Sequence, residues 1–394
     1  MFHFRKGTNR ILVINKLISA TILSLTTVLM FSCGSENSEA SSNNEHSSAE
    51  NAVIVHPPVP VDSVLVNKIK LFLDKKLDNS FFSGTILVAK DDNILYEACQ
   101  GLGDYKRRDD SICMNSTFQL ASATKPFTSF AILRLISQKK LALTDTVNQI
   151  LPNFNFKGIT VENLLSHFSG LPNYMYYTDE HWGYCEGSIT NQDVLKLFNE
   201  HGAGGGRPNS HFYYNNTNYL VLASIIEHIS HMPYETYMRD SIFLPIGMEN
   251  TRIFNNKNRS ELVNATYGHL ADLRPLYYDY LDGVVGDKGM YSSVYDLLKF
   301  DQALYDGKLV PKSLLAQAFT PHEKANTQGG SYGLGWRLRS NTNFKQIVYH
   351  SGWWKGYKSL FIRVPEVHGT IIILSNSVRG SFFHVDELIN LFAE

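Results

Sequence analysis

The chain has 394 residues, 43% of them hydrophobic and 19% charged, and its formal net charge is −1. This is the composition of a globular protein with a sizeable core, and the length allows one large domain or two ordinary ones. No basic stripe follows the first few residues, so nucleic acid is excluded as an expected partner.

The N-terminus predicts a targeting segment. Several basic residues precede an uncharged, largely apolar stretch, Leu17 to Phe31, which is too short to span a bilayer comfortably. The stretch leads into Ser32-Cys33-Gly34, which resembles the cleavage box of bacterial lipoproteins. We therefore expect a lipoprotein signal peptide over 1–33, lipidated at Cys33, and an exported, membrane-anchored protein in the periplasm or at the cell surface. A plain secretion signal is the alternative.

Residues 34–61 predict a flexible tether between the anchor and the folded protein. From Gly34 to about Asn51 the chain is rich in Ser, Asn, Glu and Ala and has almost no large apolar residue, so it cannot bury a core. The proline-rich run Pro57-Pro58-Val59-Pro60 stiffens its end. The folded domain is therefore expected over 62–394, and it contains no internal repeat.

The two ends of the folded domain predict strands and helices that pack together. A helix is expected over Ser63–Leu77, followed by a hairpin whose strands flank Asp91-Asp92-Asn93. Three strand-like runs near the far end lie around 347–350, 359–364 and 370–374. A closing helix runs over about Phe383–Phe392, and roughly 123–325 reads mostly as helices and long loops. The economical fold class is α/β (α+β): an antiparallel sheet from both chain ends, covered by terminal helices, with an inserted helical region.

Ser122 and Lys125 are the candidate nucleophile and base. Residues 126–136 are apolar on nearly every side, which predicts a buried helix beginning at Ser122-Ala-Thr-Lys125. Residues three apart lie on one helix face, so Lys125 can reach the Ser122 hydroxyl. The N-terminus of the helix favours developing negative charge, and a partly desolvated lysine can act as a general base.

Two other serine motifs compete with this pair. Ser137-Gln-Lys-Lys140 repeats the S-x-x-K spacing, but it falls at the polar end of the same helix and indicates a solvated face. Gly329-Gly-Ser331-Tyr-Gly333 fits G-x-S-x-G. A nucleophile elbow needs a helix after the serine, however, and residues 334–338 read as a strand. Ser122 is therefore the preferred nucleophile.

Further motifs follow Ser122 and Lys125 in a definite order. They are Tyr214-Asn-Asn216 and His350-Ser351-Gly352. The series S-x-x-K, Y-x-N, H/K-x-G resembles the penicillin-recognising serine hydrolases, in the branch of class C β-lactamases, low-molecular-weight DD-peptidases and related esterases. Flanking segments at 82–90, 164–172, 286–293 and 332–336 continue the resemblance, which covers roughly 65–380. It implies a β-lactamase/transpeptidase-like fold.

The resemblance also implies roles for the later motifs. Tyr214 would lie near the nucleophile and relay a proton to the leaving group, and Asn216 would hydrogen-bond the substrate. Tyr213 remains an alternative, one residue away. His350, Ser351 and Gly352 would lie on an edge strand beside the cleft and bind the substrate. The N–H of Trp353 would join that of Ser122 in an oxyanion hole.

The histidine at position 350 differs from the lysine of a dedicated β-lactamase, because it supplies no fixed cation for a carboxylate. The leading hypothesis is therefore acyl transfer to water from an amide, peptide or ester carbonyl, with a D-amino-acid peptide or related small molecule as substrate. A carboxylesterase of the same fold is one alternative, and a non-catalytic surface binding protein is another. No metal or organic cofactor is predicted, and the oligomeric state stays open.

Several chemically suggestive residues are interpreted as structural. His167 lies in a Leu-Ser-His segment, and Asp287-Lys288-Gly289 imitates K-x-G within a stretch that resembles a different family segment. Cys99, Cys113 and Cys185 show no C-x-x-C spacing. The first two could form one disulfide in an oxidising compartment, which the sequence does not decide.

Overall fold

An antiparallel sheet of seven strands forms the centre of the computed structural model, which describes residues 62–78, 81–108, 110–182, 187–202, 204–322, 330–380 and 385–394. The predictions for the signal peptide, Cys33 and the tether lie outside these residues. The described strands are β1 (Gly84–Lys90), β2 (Asn93–Gln100), β3 (Phe118–Gln119), β4 (Arg252–Ile253), β5 (Met290–Ser292), β6 (Ser331–Tyr332), β7 (Arg337–Arg339), β8 (Ile347–Trp354), β9 (Tyr357–Val364) and β10 (Gly369–Ser375).

The described helices cover the sheet and form the region between its two halves. They are α1 (Ser63–Leu77), α2 (Lys125–Ser137), α3 (Val147–Ile150), α4 (Val161–Leu165), α5 (Tyr174–His181), α6 (Asn191–His201), α7 (Asn216–Ser230), α8 (Tyr234–Met238), α9 (Val294–Asp306), α10 (Lys312–Ala318) and α11 (Val385–Asn390). The predicted closing helix is thus found as α11 and a short 3₁₀ turn, Leu391–Ala393, while residues 381–384 are outside the described ranges.

The large sheet joins both ends of the chain, as predicted. Its strand order is β2-β1-β10-β9-β8-β7-β6, and β1 pairs with β10 from Gly84 opposite Ser375 to Lys90 opposite Gly369. Every residue of β10 is buried, which explains its nearly continuous apolar sequence. Alternate residues of a strand point to opposite faces, so this sheet has an apolar surface on each side.

Helix α1 covers one face of the sheet. Asp62 caps it, because the Asp62 carboxylate accepts hydrogen bonds from the N–H groups of Val64 (2.9 Å) and Leu65 (3.2 Å). The helix buries Leu65, Ile69, Leu73 and Leu77 in one cluster with residues of β1, β10 and α11. Their spacing of four residues places them on one side of the helix, and this contact holds α1 to the sheet.

The inserted region covers the other face and contains a small sheet that the sequence did not indicate. Strands β3, β5 and β4 pair in that order, with two or three residues each. Such short strands leave no alternating pattern in the sequence. The N–H of Leu120, just after β3, donates to the carbonyl of Met290 at 2.7 Å. The small sheet therefore fixes the chain immediately before Ser122.

Replacement of Ile69 by alanine is expected to lower the free energy of unfolding by about 2–5 kcal/mol, because Ile69 is fully buried between α1 and the sheet. Leu71 lies on the same helix but is 72% exposed, so Leu71→Ala is the matched control and changes stability little. Urea unfolding of the two variants measures the difference. Equal losses would contradict the described packing of α1.

Candidate active site

Ser122 lies on a tight turn held from both sides. It belongs to a 3₁₀ turn, Ala121–Thr124, and α2 begins at Lys125, with Pro126 in its first turn where proline is tolerated. Ala121 has a φ of 50°. This left-handed conformation is energetically unfavourable for any residue that has a side chain. The carbonyl of Leu120 accepts a hydrogen bond from Ser359 Oγ on β9 at 2.5 Å. The surrounding sheet strands thus maintain the turn.

The amine of Lys125 is the centre of the site. Lys125 is fully buried, and its Nζ contacts Ser122 Oγ at 3.1 Å. The same Nζ lies 2.8 Å from Asn216 Oδ1 and 3.0 Å from the main-chain carbonyl of Asp287. The last two oxygens can only accept hydrogen bonds, whereas the serine hydroxyl can also donate. In its unprotonated form an amine has two hydrogens and one lone pair, and in that form the two acceptors would direct the lone pair at the Ser122 hydroxyl.

The start of α7 brings Tyr214 and Asn216 to Lys125. Asn215 caps the helix, and its Nδ2 donates to the carbonyl of Leu171 at 2.6 Å. The Tyr214 ring centroid lies 5.1 Å from Lys125 Nζ, while the neighbouring Tyr213 is 46% exposed. The Y-x-N register that contacts the lysine is therefore Tyr214 with Asn216. The amide of Asn216 also faces Met175 Sδ, at 3.0 Å.

His167 supports this loop from behind. Its Nδ1 accepts hydrogen bonds from the N–H of Asn215 (3.1 Å) and from Asn218 Nδ2 (3.0 Å), so the proton of the neutral ring lies on Nε2. The His167 and Tyr214 rings pack with centroids 4.4 Å apart. Burial lowers the pKa of His167 well below its usual value. In its described contacts, His167 is thus a neutral residue that supports Tyr214 and the start of α7 by packing and hydrogen bonds.

Strand β8 passes directly beside Ser122 at Gly352. A Cβ added to Gly352 would lie 2.0 Å from the carbonyl oxygen of Leu120 and 2.9 Å from the Ser122 nitrogen, so only glycine fits. Beyond Tyr349, β8 pairs with β9 alone among the described strands, and its other edge is open. The side chain of Trp353 is 68% exposed, and Ser351 is half-buried between Gly352 and His350.

His350 is buried and uncharged. Its Nδ1–H donates to the carbonyl of Ser351 at 2.8 Å, and its Nε2 accepts from Tyr332 Oη at 3.2 Å. Burial, together with the charge of Arg337, lowers the pKa of His350 well below its usual value, and burial raises that of Tyr332 well above 10. The tyrosine therefore keeps its proton, and β8 carries no cation at position 350.

Arg337 is the residue of the cleft that sequence reasoning missed. It lies on β7 opposite Tyr349, and its guanidinium carbon is 4.9 Å from the centroid of the Tyr214 ring. Its Nε is buried and has no hydrogen-bond partner among the described residues, and no described carboxylate pairs with its guanidinium. Strand β7 has three residues and no recognisable motif, so no sequence pattern indicates this cation.

The competing serine motifs lie elsewhere. Ser137 Oγ donates to the carbonyl of Arg134 at the end of α2, and Lys140 is exposed. Ser331 lies on β6, which is followed by β7 rather than by a helix, so the elbow geometry does not form. Both motifs were set aside from the sequence, and neither contacts Lys125 among the described residues.

The remaining candidates concern cysteines, metals and membrane contact. Cys99 and Cys113 are free thiols, whereas Cys185 is outside the described residues. Within the described ranges, no group of three or more His, Cys, Asp or Glu side chains could hold a metal ion. None of the helices in those ranges has the length and apolar character needed to cross a membrane.

The fold and the comparisons together define the class of protein. The family model described as Beta-lactamase matches residues 70–394. The chain therefore belongs to the beta-lactamase family, a family of serine hydrolases, and the family and fold expected from the sequence are confirmed.

Individual proteins similar to this chain agree with this membership. Penicillin-binding protein 4* of Bacillus subtilis (strain 168) is 37% identical over 309 residues, which are 75% of this chain and 68% of that protein. A penicillin-binding protein homologue from Pyrococcus abyssi has a TM-score of 0.68 and 25% identity, covering 79% of this chain and 74% of that one. The D-amino acid amidase of Ochrobactrum anthropi SV3 shares the fold, with a TM-score of 0.68, 23% identity and coverage of 84% and 97%.

Burial of two neutral histidines predicts how stability depends on pH. His167 and His350 take up protons only when the protein unfolds, so the free energy of unfolding is highest above about pH 6.5 and falls as the pH drops. Each histidine contributes a slope of up to about 1.4 kcal/mol per pH unit. Urea unfolding between about pH 7.5 and pH 5 measures this slope.

The matched variants for this measurement are His167→Asn and His201→Asn. The first removes one buried titrating group. It is expected to reduce the slope by up to about 1.4 kcal/mol per pH unit, which corresponds to one proton fewer taken up on unfolding. The second is the control, because it replaces an exposed histidine and keeps both buried ones. An unchanged slope in His167→Asn would show that His167 does not stay neutral in the folded protein.

Proposed function

We propose that the protein is a serine hydrolase that forms an acyl-enzyme on Ser122, with Lys125 as the general base. The observation that carries this proposal is the contact set of the buried Lys125 amine. Two acceptor-only oxygens, from Asn216 and Asp287, hold its hydrogens, and its third neighbour is Ser122 Oγ at 3.1 Å. As Oγ attacks a carbonyl carbon, the hydroxyl proton passes to the lone pair of Nζ.

The later steps use groups that surround the same pair. The N–H groups of Ser122 and Trp353 are proposed to stabilise the oxyanion, which the close approach of Gly352 to the Ser122 nitrogen supports. The proton on Lys125 then passes to the leaving group, with the Tyr214 hydroxyl as the proposed relay. Water then attacks the acyl carbon and gives a proton to Lys125 along the same route. The bond between the acyl group and Ser122 Oγ breaks, Oγ takes that proton back, and the acid product leaves.

The proposed substrate is a D-amino-acid peptide that ends in a free carboxylate. The guanidinium of Arg337 supports this choice, because it lies beside Tyr214 without a described acidic partner. An Arg fork matches a carboxylate with two hydrogen bonds, and the uncharged His350 leaves Arg337 as the nearby cation on this side of the cleft. The name of the D-amino acid amidase, which shares the fold, is consistent with the D configuration of this substrate, though not with its free carboxylate.

Covalent labelling tests the nucleophile. The wild-type protein is expected to label with a fluorescent phosphonate and with a fluorescent penicillin, whereas Ser122→Ala does not label. Lys125→Met removes the base without adding bulk, and its labelling rate is expected to fall by about 10²-fold to 10⁴-fold. Gel fluorescence against time measures both effects.

Ser331→Ala is the matched control, because Ser331 belongs to the rival motif and lies on β6. It is expected to label like the wild type. If neither probe distinguishes wild type from Ser122→Ala, the acyl-enzyme proposal is wrong, and a binding protein that retains the fold becomes the better description.

Substitution of Arg337 tests the substrate class. Arg337→Met is expected to lower kcat/KM by about 10-fold to 100-fold for a peptide ending in D-Ala-D-Ala, because a charged hydrogen-bond partner is lost. For the same peptide with a C-terminal amide, and for a p-nitrophenyl ester, the kcat/KM of Arg337→Met is expected to stay close to that of the wild type. Arg339→Met is the matched control, since Arg339 lies on the same strand but pairs with Asp386 of α11. Equal effects on acid and amide would refute carboxylate recognition, and turnover of the ester alone would indicate an esterase.

A further inference from the structure

Three buried polar side chains form a closed ring beside Lys125, and none of them has a step in the proposed mechanism. Lys288 Nζ donates to Tyr174 Oη at 2.6 Å, and Tyr174 Oη donates to Asp287 Oδ2 at 3.0 Å. Lys288 Nζ also lies 3.5 Å from Asp287 Oδ1. We call these residues the Tyr174–Asp287–Lys288 triad. Two of them come from the sequence segment that imitates K-x-G.

The triad is too enclosed to act on solvent or substrate directly. The side chains of Lys288 and Asp287 are only 4% and 1% exposed, and Tyr174 is fully buried. The Lys288 ammonium lies between two aromatic rings, 5.3 Å from the centroid of Tyr174 and 5.6 Å from that of Trp354. Burial and the neighbouring carboxylate of Asp287 raise the pKa of Tyr174 well above 10, so its hydroxyl stays protonated.

A buried ion pair of this kind contributes little net stability compared with apolar packing, because both charges lose their hydration. What the triad does provide is a fixed position for the chain at 287–289. The main-chain carbonyl of Asp287 is one of the two acceptors that hold the Lys125 amine, at 3.0 Å. The side chain of the same residue is anchored by Tyr174 and Lys288, so the anchor and the acceptor belong to one residue.

The second acceptor is linked to the triad as well. The N–H of Tyr174 donates to Thr217 Oγ1 at 2.8 Å, and Thr217 follows Asn216 in the first turn of α7. Asn216 Oδ1 is the other oxygen that holds the Lys125 amine. Tyr174 therefore connects the segment that carries the Asp287 carbonyl with the helix that carries the Asn216 amide.

We propose that Tyr174, Asp287 and Lys288 are positioning residues that hold the two acceptors of Lys125 and so direct its lone pair at Ser122. This inference rests on the proposed function and extends it to residues that touch no substrate. The triad acts through the Asp287 carbonyl. Loss of the Lys288 ammonium leaves the Asp287 side chain with the Tyr174 hydroxyl as its remaining anchor in the triad. The less firmly held carbonyl can then shift, and the Lys125 amine can rotate away from the Ser122 hydroxyl.

The first experiment measures kcat and KM of Lys288→Met on the substrate or ester that the wild type turns over. A displaced base is expected to lower kcat by about 10-fold to 100-fold and to leave KM nearly unchanged, because orientation of reacting groups has effects of this size. Tyr174→Phe keeps both charges and removes only the bridging hydroxyl, so it serves where Lys288→Met folds poorly. Its kcat is expected to fall in the same direction.

A matched control separates positioning from general loss of structure. Arg363 and Asp301 form another buried ion pair, between β9 and α9, away from Lys125. Arg363→Met also leaves a buried carboxylate without its cation and is expected to reduce stability, but not the kcat of the folded enzyme. The double variant Asp287→Asn with Lys288→Met removes both charges, and it is expected to regain stability while kcat stays low.

The outcomes are distinguishable from those for the nucleophile. If the wild type fails to label at Ser122, the proposed function is wrong. If it labels and turns over substrate, but Lys288→Met and Tyr174→Phe keep the wild-type kcat, only the positioning role is refuted. Recovery of kcat together with stability in the double variant would also refute it, since the charge imbalance alone would then explain the loss.

Discussion

The buried amine of Lys125 is the constraint on which the rest of the site depends. An amine with no access to solvent needs hydrogen-bond partners, and Lys125 finds them on three separate parts of the chain: the turn at Ser122, the first turn of α7 and the loop at Asp287. The sequence separations are 3, 91 and 162 residues. The site therefore exists only when the inserted helical region has packed onto the sheet.

The sheet contributes the opposite wall through a single close approach. Gly352 on β8 reaches the backbone of Leu120 and Ser122 because it has no side chain, and Ser359 of β9 holds the Leu120 carbonyl. Both strands come from the C-terminal end of the domain, whereas Ser122 follows the N-terminal strands. A sheet built from both chain ends thus sets the distance between the nucleophile and the open edge of β8.

How far the sequence predicted this arrangement varies with the kind of signal. Helix α1 and strands β1 and β10 were predictable because burial on regular faces leaves regular apolar patterns. The spacing of Ser122 and Lys125 and the order of the later motifs gave the expected site residues. Arg337 could not be found in this way, since a three-residue strand has no pattern and only the fold brings it to Tyr214.

The role of Asp287 shows a second reason why sequence reasoning falls short. Its contact with Lys125 is made by the main-chain carbonyl. Every residue has such a carbonyl, so the residue type at position 287 does not predict this contact. The Asp287 side chain is a buried charge in the structure, but its residue type does not indicate a contact with Lys125. Similarly, the lowered pKa of His350 follows from burial and from the charge of Arg337, which lies on another strand. Such properties depend on neighbours that are distant in sequence.

Charge around Tyr214 ties substrate recognition to the proposed proton transfer. The Tyr214 ring lies close to two basic groups, with Lys125 Nζ 5.1 Å and the Arg337 guanidinium 4.9 Å from its centroid. When Lys125 accepts the proton of Ser122, two cations lie near this ring in a site of low dielectric. A substrate carboxylate bound to Arg337 offsets that repulsion. Under the proposed mechanism, the correct substrate therefore stabilises the ammonium that its own attack by Ser122 creates, which an uncharged ester does not do.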